Sequence, residues 1–294
     1  MVECLRRDPR FSLDPDVLHA GFLYRDAEAE ALAGIYRRYL DIGRDTGLPM
    51  VVLTPTWRAG PERLIRAGLG EKDVNGDAVR FLDGIRAEYG SYGKSVFIGG
   101  LIGPRGDAYL PAEALSQDDA ARFHLTQLEA LAQAGADFLI AETLPAASEA
   151  CGIAQAMAGM GRPYLLSFII DRSAHLLDGA RLDTTIRRID GAGEPSPAGY
   201  MVNCVHHSVL RDALRQVAAP VLHRLIGYQA NTSARAPHEL EGLTKVETED
   251  AGQFAGALSE LHREFGLKLL GGCCGTDAGH IRALAGRFSP GAAV

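Results

Sequence analysis

The run Leu269-Leu270-Gly271-Gly272-Cys273-Cys274-Gly275-Thr276 carries an apolar stretch into two adjacent cysteines wrapped in glycine. Vicinal cysteines can bridge one another only through a strained ring. Two thiolates flanking one peptide unit can instead share a metal ion, if a third ligand arrives from elsewhere. The glycines let the backbone turn tightly enough to aim both sulfurs at one point. A second apolar stretch, Tyr200-Met201-Val202-Asn203-Cys204, also ends on a cysteine. Three thiolates around a tetrahedral Zn²⁺ leave the fourth position open, which is the catalytic rather than the structural arrangement. A thiol substrate entering that position would lose its proton to the metal's influence and become a nucleophile near neutral pH. The competing reading treats a free cysteine as a small buried hydrophobe. That reading suits Cys4 and Cys151, which are isolated at the start of the chain and on a helical stretch. It suits a glycine-wrapped pair at a strand end poorly, because such a pair gains little from packing. A redox pair between Cys204 and Cys273 or Cys274 is the remaining alternative.

The elements that must bring these cysteines together can be read from periodicity. Short runs rich in Leu, Ile and Val occur at Met50–Thr54, Val96–Leu101, Asp137–Glu142, Tyr164–Ile170, Gly199–Cys204, Leu222–Tyr228 and Leu267–Gly272. They do not alternate strictly, as expected of strands buried on both faces of a parallel sheet. Between them lie stretches with helical spacing: Asp26–Thr46, Asp73–Tyr89, Ser116–Ala134, Ala146–Met160, Ser208–Ala219, Glu249–Phe265 and Asp277–Gly286, with a shorter one at Arg181–Asp190. Ser116 is placed to cap its helix, and Gly135 and Gly266 to end theirs. Strands alternating with helices predict βαβ units and an α/β fold. No G-x-G-x-x-G follows an early strand, which weakens a dinucleotide-binding reading. In a TIM (β/α)8-type barrel the strand C-termini gather on one face, where active sites are built. Cys204, Cys273 and Cys274 would converge there.

The chain has 294 residues, a formal net charge of −7 and 47% hydrophobic residues. It supplies enough apolar material for a large core, and barrels of roughly this length are single domains. No Pro/Ser-rich linker divides it, so one domain over residues 1–294 is expected. An acidic balance argues against a nucleic-acid partner. The absence of an uninterrupted apolar run of about 18 residues argues against a membrane span. The N-terminus lacks the apolar segment of a secretory signal, and an odd count of five cysteines argues against a disulfide framework. Together these predict a cytoplasmic protein.

The motifs resemble those of the homocysteine S-methyltransferase family. Gly271-Gly272-Cys273-Cys274-Gly275-Thr276 matches that family's closing motif, and Asn203-Cys204 its first cysteine ligand. Thr54-Pro55-Thr56-Trp57, Gly100-Leu101-Ile102-Gly103-Pro104, Ala141-Glu142-Thr143-Leu144-Pro145 and Ser167-Phe168 resemble segments that follow or close its successive strands. The resemblance runs from about Met50 to Leu284. It implies a (β/α)8 barrel, zinc on Cys204, Cys273 and Cys274, and methyl transfer to the thiol of homocysteine to give methionine. It also implies that Glu142 holds the substrate's amino group. Among the other strand-end residues, Thr54 is expected in the substrate pocket and Asn203 to orient the site through hydrogen bonds. Trp57 either faces a cationic donor through cation–π attraction or packs within the barrel. With no room for folate or cobalamin domains, a small sulfonium donor, S-methylmethionine or S-adenosylmethionine, is expected.

Two departures stand out. Gln229-Ala230-Asn231 replaces the family's usual Pro-Asn. Residues 1–25 contain no convincing buried strand, and Val2–Arg7 reads as helix, so the first barrel strand is expected to be missing or degenerate. A zinc-binding barrel with an incomplete pocket and weak catalysis is therefore the alternative function. His206 and His207 directly follow Cys204, where histidines more often form local hydrogen bonds than ligate metal.

Overall fold

A computed structural model describes residues 2–6, 8–234 and 248–289. Seven strands alternate with helices in chain order. They are β1 (Met50–Leu53), β2 (Val96–Ile102), β3 (Phe138–Leu144), β4 (Tyr164–Phe168), β5 (Gly199–His206), β6 (Leu225–Asn231) and β7 (Leu269–Gly272). The helices are α1 (Val2–Arg6), α2 (Asp26–Thr46), α3 (Pro61–Arg66), α4 (Val74–Ala87), α5 (Gln117–Gln133), α6 (Ala147–Ala158), α7 (Leu182–Asp190), α8 (His207–Leu214), α9 (Ala219–Leu222), α10 (Ala251–Phe265) and α11 (Ala278–Gly286). All neighbouring strands are parallel and their spatial order is their sequence order. A sheet wound this way curls toward a barrel, with every strand C-terminus on one face. All seven expected strands are present. The short α3 is not legible in the sequence, and within the N-terminal region Ala20–Tyr24 forms a single 3₁₀ stretch. Residues 8–25 hold no strand of the sheet.

Each strand sorts its side chains by parity, as a pleated strand must. On β3, Leu139 and Ala141 pack outward under the helices, while Phe138 and Ile140 point into the lumen. On β5, Tyr200 and Val202 face outward and Met201 inward. The lumen is filled by Leu101, Ile140, Leu165 and Met201, joined by Leu53, Trp57, Ile226 and Leu269. It is a packed interior rather than a pore. The outer layer is the larger core. There Tyr200 and Tyr228 are fully buried, yet their hydroxyls donate to Asp190 Oδ1 at 2.8 Å and to the Val205 carbonyl at 2.7 Å.

Helix ends follow their sequence signals. Ser116 accepts from the Asp119 amide at the start of α5, and Asp250 from the Gly252 and Gln253 amides at the start of α10. Gly47 and Gly266 close α2 and α10 in the left-handed conformation. Among the described residues no helix is long and apolar enough to cross a membrane.

Candidate metal centre

Two strand ends deliver the cysteines. β5 continues past the inward-facing Asn203 to Cys204, where its pairing with β6 slips. Simple alternation would turn Cys204 outward. Its backbone instead takes φ = 58°, the left-handed region, where a side chain is strained. β7 ends at Gly272, and the Cys273 amide donates to the Ala230 carbonyl at 2.7 Å, continuing the ladder from β6 for one more residue. The Thr276 hydroxyl then donates back to the Cys273 carbonyl at 2.8 Å, closing a tight turn. Gly272 is required there, because a Cβ would lie 2.3–2.6 Å from the Thr276 side chain. The Thr232 amide, just beyond β6, donates to the Cys274 carbonyl at 3.2 Å.

The outcome is a cluster in which the sulfurs of Cys204, Cys273 and Cys274 lie within 4.8 Å of one another. The Cys204 and Cys274 sulfurs are 3.5 Å apart. Cys204 is buried, Cys273 half-buried and Cys274 exposed, so the group opens to solvent on one side. The thiols of Cys273 and Cys274 act on Cys204 to favour its thiolate, holding it well below the ordinary thiol range. The negative Cys204 correspondingly keeps the protons on the other two, pushing Cys274 up to about 12. Such a donor set fits a thiophilic divalent cation, which would stabilise all three as thiolates.

Tyr109, on the loop after β2, reaches across the face to place its hydroxyl 3.2 Å from Cys204 Sγ. Nothing in the local sequence marks this residue, because only the curl of the sheet brings that loop to β5.

Behind the sulfurs stands Asn203, 1% exposed. Its Oδ1 accepts from the Thr143 amide at 2.9 Å and from the Ser167 hydroxyl at 2.7 Å, and its Nδ2 donates to Thr143 Oγ1 at 2.7 Å. One side chain therefore ties the tips of β3, β4 and β5 together. Thr143 is itself left-handed, with φ = 63°, beside a slip in the β3–β4 register. Asn203 thus holds one strained residue and immediately precedes the other, Cys204.

Glu142 lies next to Thr143 with one carboxylate oxygen, Oε1, buried and without a partner. Burial raises its pKa to about 7, and a hydrogen bond from Gln229 partly opposes this. Gln229 is the residue at which the sequence leaves the family's pattern. Its side chain occupies the neighbourhood of Glu142. The Trp57 indole N–H donates to the Glu142 carbonyl at 3.2 Å, and the Arg58 guanidinium lies 5.0 Å from the Trp57 ring centroid. Trp57 accordingly packs in the lumen and also carries a cation. Thr54 and Thr56 are buried and bonded to each other at 2.7 Å. They bridge to the Leu101 amide and carbonyl on β2. Both hydroxyls are committed to joining β1 to β2.

Residues 2–288 match the family model described as homocysteine S-methyltransferase. The Escherichia coli (strain K12) homocysteine S-methyltransferase is 27% identical over 256 residues, spanning 80% of this chain and 78% of that protein. The Bacillus subtilis (strain 168) homocysteine S-methyltransferase YbgG is 26% identical over 182 residues, 61% of this chain and 56% of that protein. In fold, the chain is similar to the crystal structure of the E. coli homocysteine methyltransferase MmuM in its metallated form, with a TM-score of 0.77 and 23% identity over 98% of this chain and 94% of that one. The oxidised form of the same enzyme gives 0.76 and 24%, over 97% and 92%. With its closing Gly-Gly-Cys-Cys-Gly-Thr turn and its Asn-Cys strand end on one face of a curled parallel sheet, the chain belongs to the homocysteine S-methyltransferase family.

Proposed function

We propose that this protein transfers a methyl group from a small sulfonium donor, S-methylmethionine or S-adenosylmethionine, to the thiol of homocysteine, giving methionine. Zn²⁺ would be held by Cys204, Cys273 and Cys274. The observation that carries the reading is the convergence of these three sulfurs at the ends of β5 and β7, open on one side. When bound, the metal supplies a low-pKa thiolate in place of the substrate thiol.

The chain's own residues do the remaining work. Glu142 offers a buried, unpartnered carboxylate oxygen, the feature expected of a group that takes a ligand's ammonium. Neutral Gln229 beside it adds a hydrogen bond without competing as a cation. Asn203 positions rather than binds, since its polar atoms are engaged with Thr143 and Ser167. Trp57 forms a lumen wall beside Glu142, and Thr54 stiffens the strand end that presents Trp57. Displacement at a methyl carbon needs alignment of donor and acceptor more than it needs acid–base catalysis.

A second reading rests on the N-terminal region. The described residues form seven strands, where an eight-stranded barrel is the family expectation. We read this as a single barrel domain whose first strand is missing or degenerate. That leaves room for a zinc-binding protein with an incomplete substrate pocket and weak turnover. A methyl-transfer assay with homocysteine and each donor, run beside a zinc determination, separates the two. Turnover that disappears in Cys273→Ser together with the zinc supports the enzyme. Full zinc with no turnover from any donor overturns it. Stoichiometric zinc on three reduced thiols excludes a redox pairing of Cys204 with Cys273 or Cys274.

A further inference from the structure

A second group of ligand-type side chains lies just past Cys204 and takes no part in the sulfur cluster. β5 runs directly into α8 at His206 and His207, and the two imidazoles stack with centroids 3.9 Å apart. Facing both is Glu249, from the stretch immediately before α10. Its Oε2 lies 3.1 Å from His207 Nε2 and 3.8 Å from His206 Nε2. One donor atom from each of the three residues lies within 4.8 Å of the other two. The side chains are only 14–20% exposed.

The cluster is incomplete as it stands. Glu249 Oε1 is occluded and has no hydrogen-bond partner. Among the described residues no Lys or Arg pairs with this carboxylate, whose ionic neighbours are the two histidines. His206 Nδ1 lies 2.9 Å from Ser208 Oγ, itself approached by Arg172 at 3.2 Å. The Ser208 amide also donates to His206 Nδ1 at 3.3 Å, capping α8, and Nε2 is the ring nitrogen that faces the carboxylate. The 3.8 Å gap is too wide for a hydrogen bond. It is close to the edge of roughly 3.4 Å that separates two ligands of a tetrahedral ion with bonds of about 2.1 Å. The two Ser208 contacts fix the orientation of the His206 ring, as the partners behind a ligating histidine commonly do.

We propose that His206, His207 and Glu249 form a second divalent-metal site, distinct from the three cysteines. Two imidazoles and a carboxylate suit a first-row ion such as Zn²⁺ and leave further coordination positions open. The site also has a mechanical consequence. The Thr248 hydroxyl donates to the Gly275 carbonyl at 3.0 Å, and His280 Nε2 lies 3.0 Å from the Glu249 carbonyl. An ion on Glu249 would therefore brace the stretch before α10 between the start of α8 and the cysteine turn.

The test is a Co²⁺ titration of the full-length, metal-free protein, read by absorption and by bound-metal count. The expected wild-type result is two equivalents. One carries the near-ultraviolet thiolate charge-transfer band, and the other shows only weak visible bands. In His207→Ala and in Glu249→Gln, the second equivalent should weaken by more than the roughly 10–100-fold typical of losing an outer-shell partner. The thiolate band should remain, which also reports that the variants fold. In the double variant Cys273→Ser, Cys274→Ser the pattern should invert. A single equivalent in the wild type overturns the proposal, as does a second equivalent that survives both His207→Ala and Glu249→Gln.

Discussion

Replacing Asn203 with Ala should separate the positioning of the metal centre from the cysteines themselves. The substitution deletes three buried hydrogen bonds, at 2.9, 2.7 and 2.7 Å. It leaves the Thr143 amide and the Ser167 hydroxyl, both in buried surroundings, without an acceptor. Each orphaned buried group costs about 1–3 kcal/mol, so a loss of about 2–6 kcal/mol is expected for the two. At roughly 2–4 °C per kcal/mol for a domain of this size, Tm should fall by about 4–24 °C. The strain at Thr143 and Cys204 sharpens the prediction. Left-handed non-glycine residues cost about 1–3 kcal/mol each and persist only where the surroundings over-determine them. With the clamp gone, Thr143 and Cys204 should relax and the Cys204 sulfur should move away from the other two, weakening zinc binding. Ser167→Ala is the control. It removes one donor but leaves Asn203 Oδ1 bonded to the Thr143 amide, so it should cost about 1 kcal/mol and spare zinc affinity. Thermal unfolding of zinc-free and zinc-loaded protein, with affinity from chelator competition, reads both effects. A loss below about 0.5 kcal/mol in Asn203→Ala, with zinc affinity unchanged, would refute the clamp.

Glu142 gives a pH test. Its pKa is raised to about 7 by burial, above the usual 4.5, so the fold favours the protonated form. That contribution is fully present below about pH 4.5 and is lost as pH rises through about 7. Stability should therefore fall by roughly 3 kcal/mol across that window, and Glu142→Gln should flatten the slope. Homocysteine binding should show the opposite trend, strengthening as the carboxylate ionises, and Glu142→Gln should raise KM at least about tenfold. Cys204→Ser, Cys273→Ser or treatment with a strong chelator should abolish zinc binding and methyl transfer together, as measured by metal content and methionine formation. Gly272→Ala drives a Cβ into Thr276 and should cost about 1–3 kcal/mol, loosening the turn that sets Cys273 and weakening zinc retention in dialysis. Tyr109→Phe removes the hydroxyl beside Cys204. It should lower stability by only about 1 kcal/mol and raise the pH at which that thiol reacts with a thiol reagent.

The sequence alone determined the alternation of strand and helix, and with it a parallel sheet whose strand ends share one face. Buried strands and amphipathic helices write their periods into the chain. The glycine-wrapped Cys273-Cys274 pair and the strand-terminal Cys204 were legible for the same reason, since local spacing fixes where a strand stops. Several features were decided only by tertiary structure. The left-handed turns at Thr143 and Cys204 are imposed on residues that do not favour them, and they override the parity that periodicity predicts. Tyr109 approaches Cys204 across 95 residues of chain, a separation that local spacing does not encode. Asn203, expected to orient the site through hydrogen bonds, turns out to join three strands, because its partners Thr143 and Ser167 become neighbours only when β3, β4 and β5 pair. The Thr54 hydroxyl bonds Thr56 and the Leu101 amide at the β1–β2 junction, partners that local spacing does not encode. Local sequence therefore sets which residues stand at the ends of strands. The curl of the sheet and the satisfaction of buried polar atoms decide which of them face the reaction and which hold the others in place.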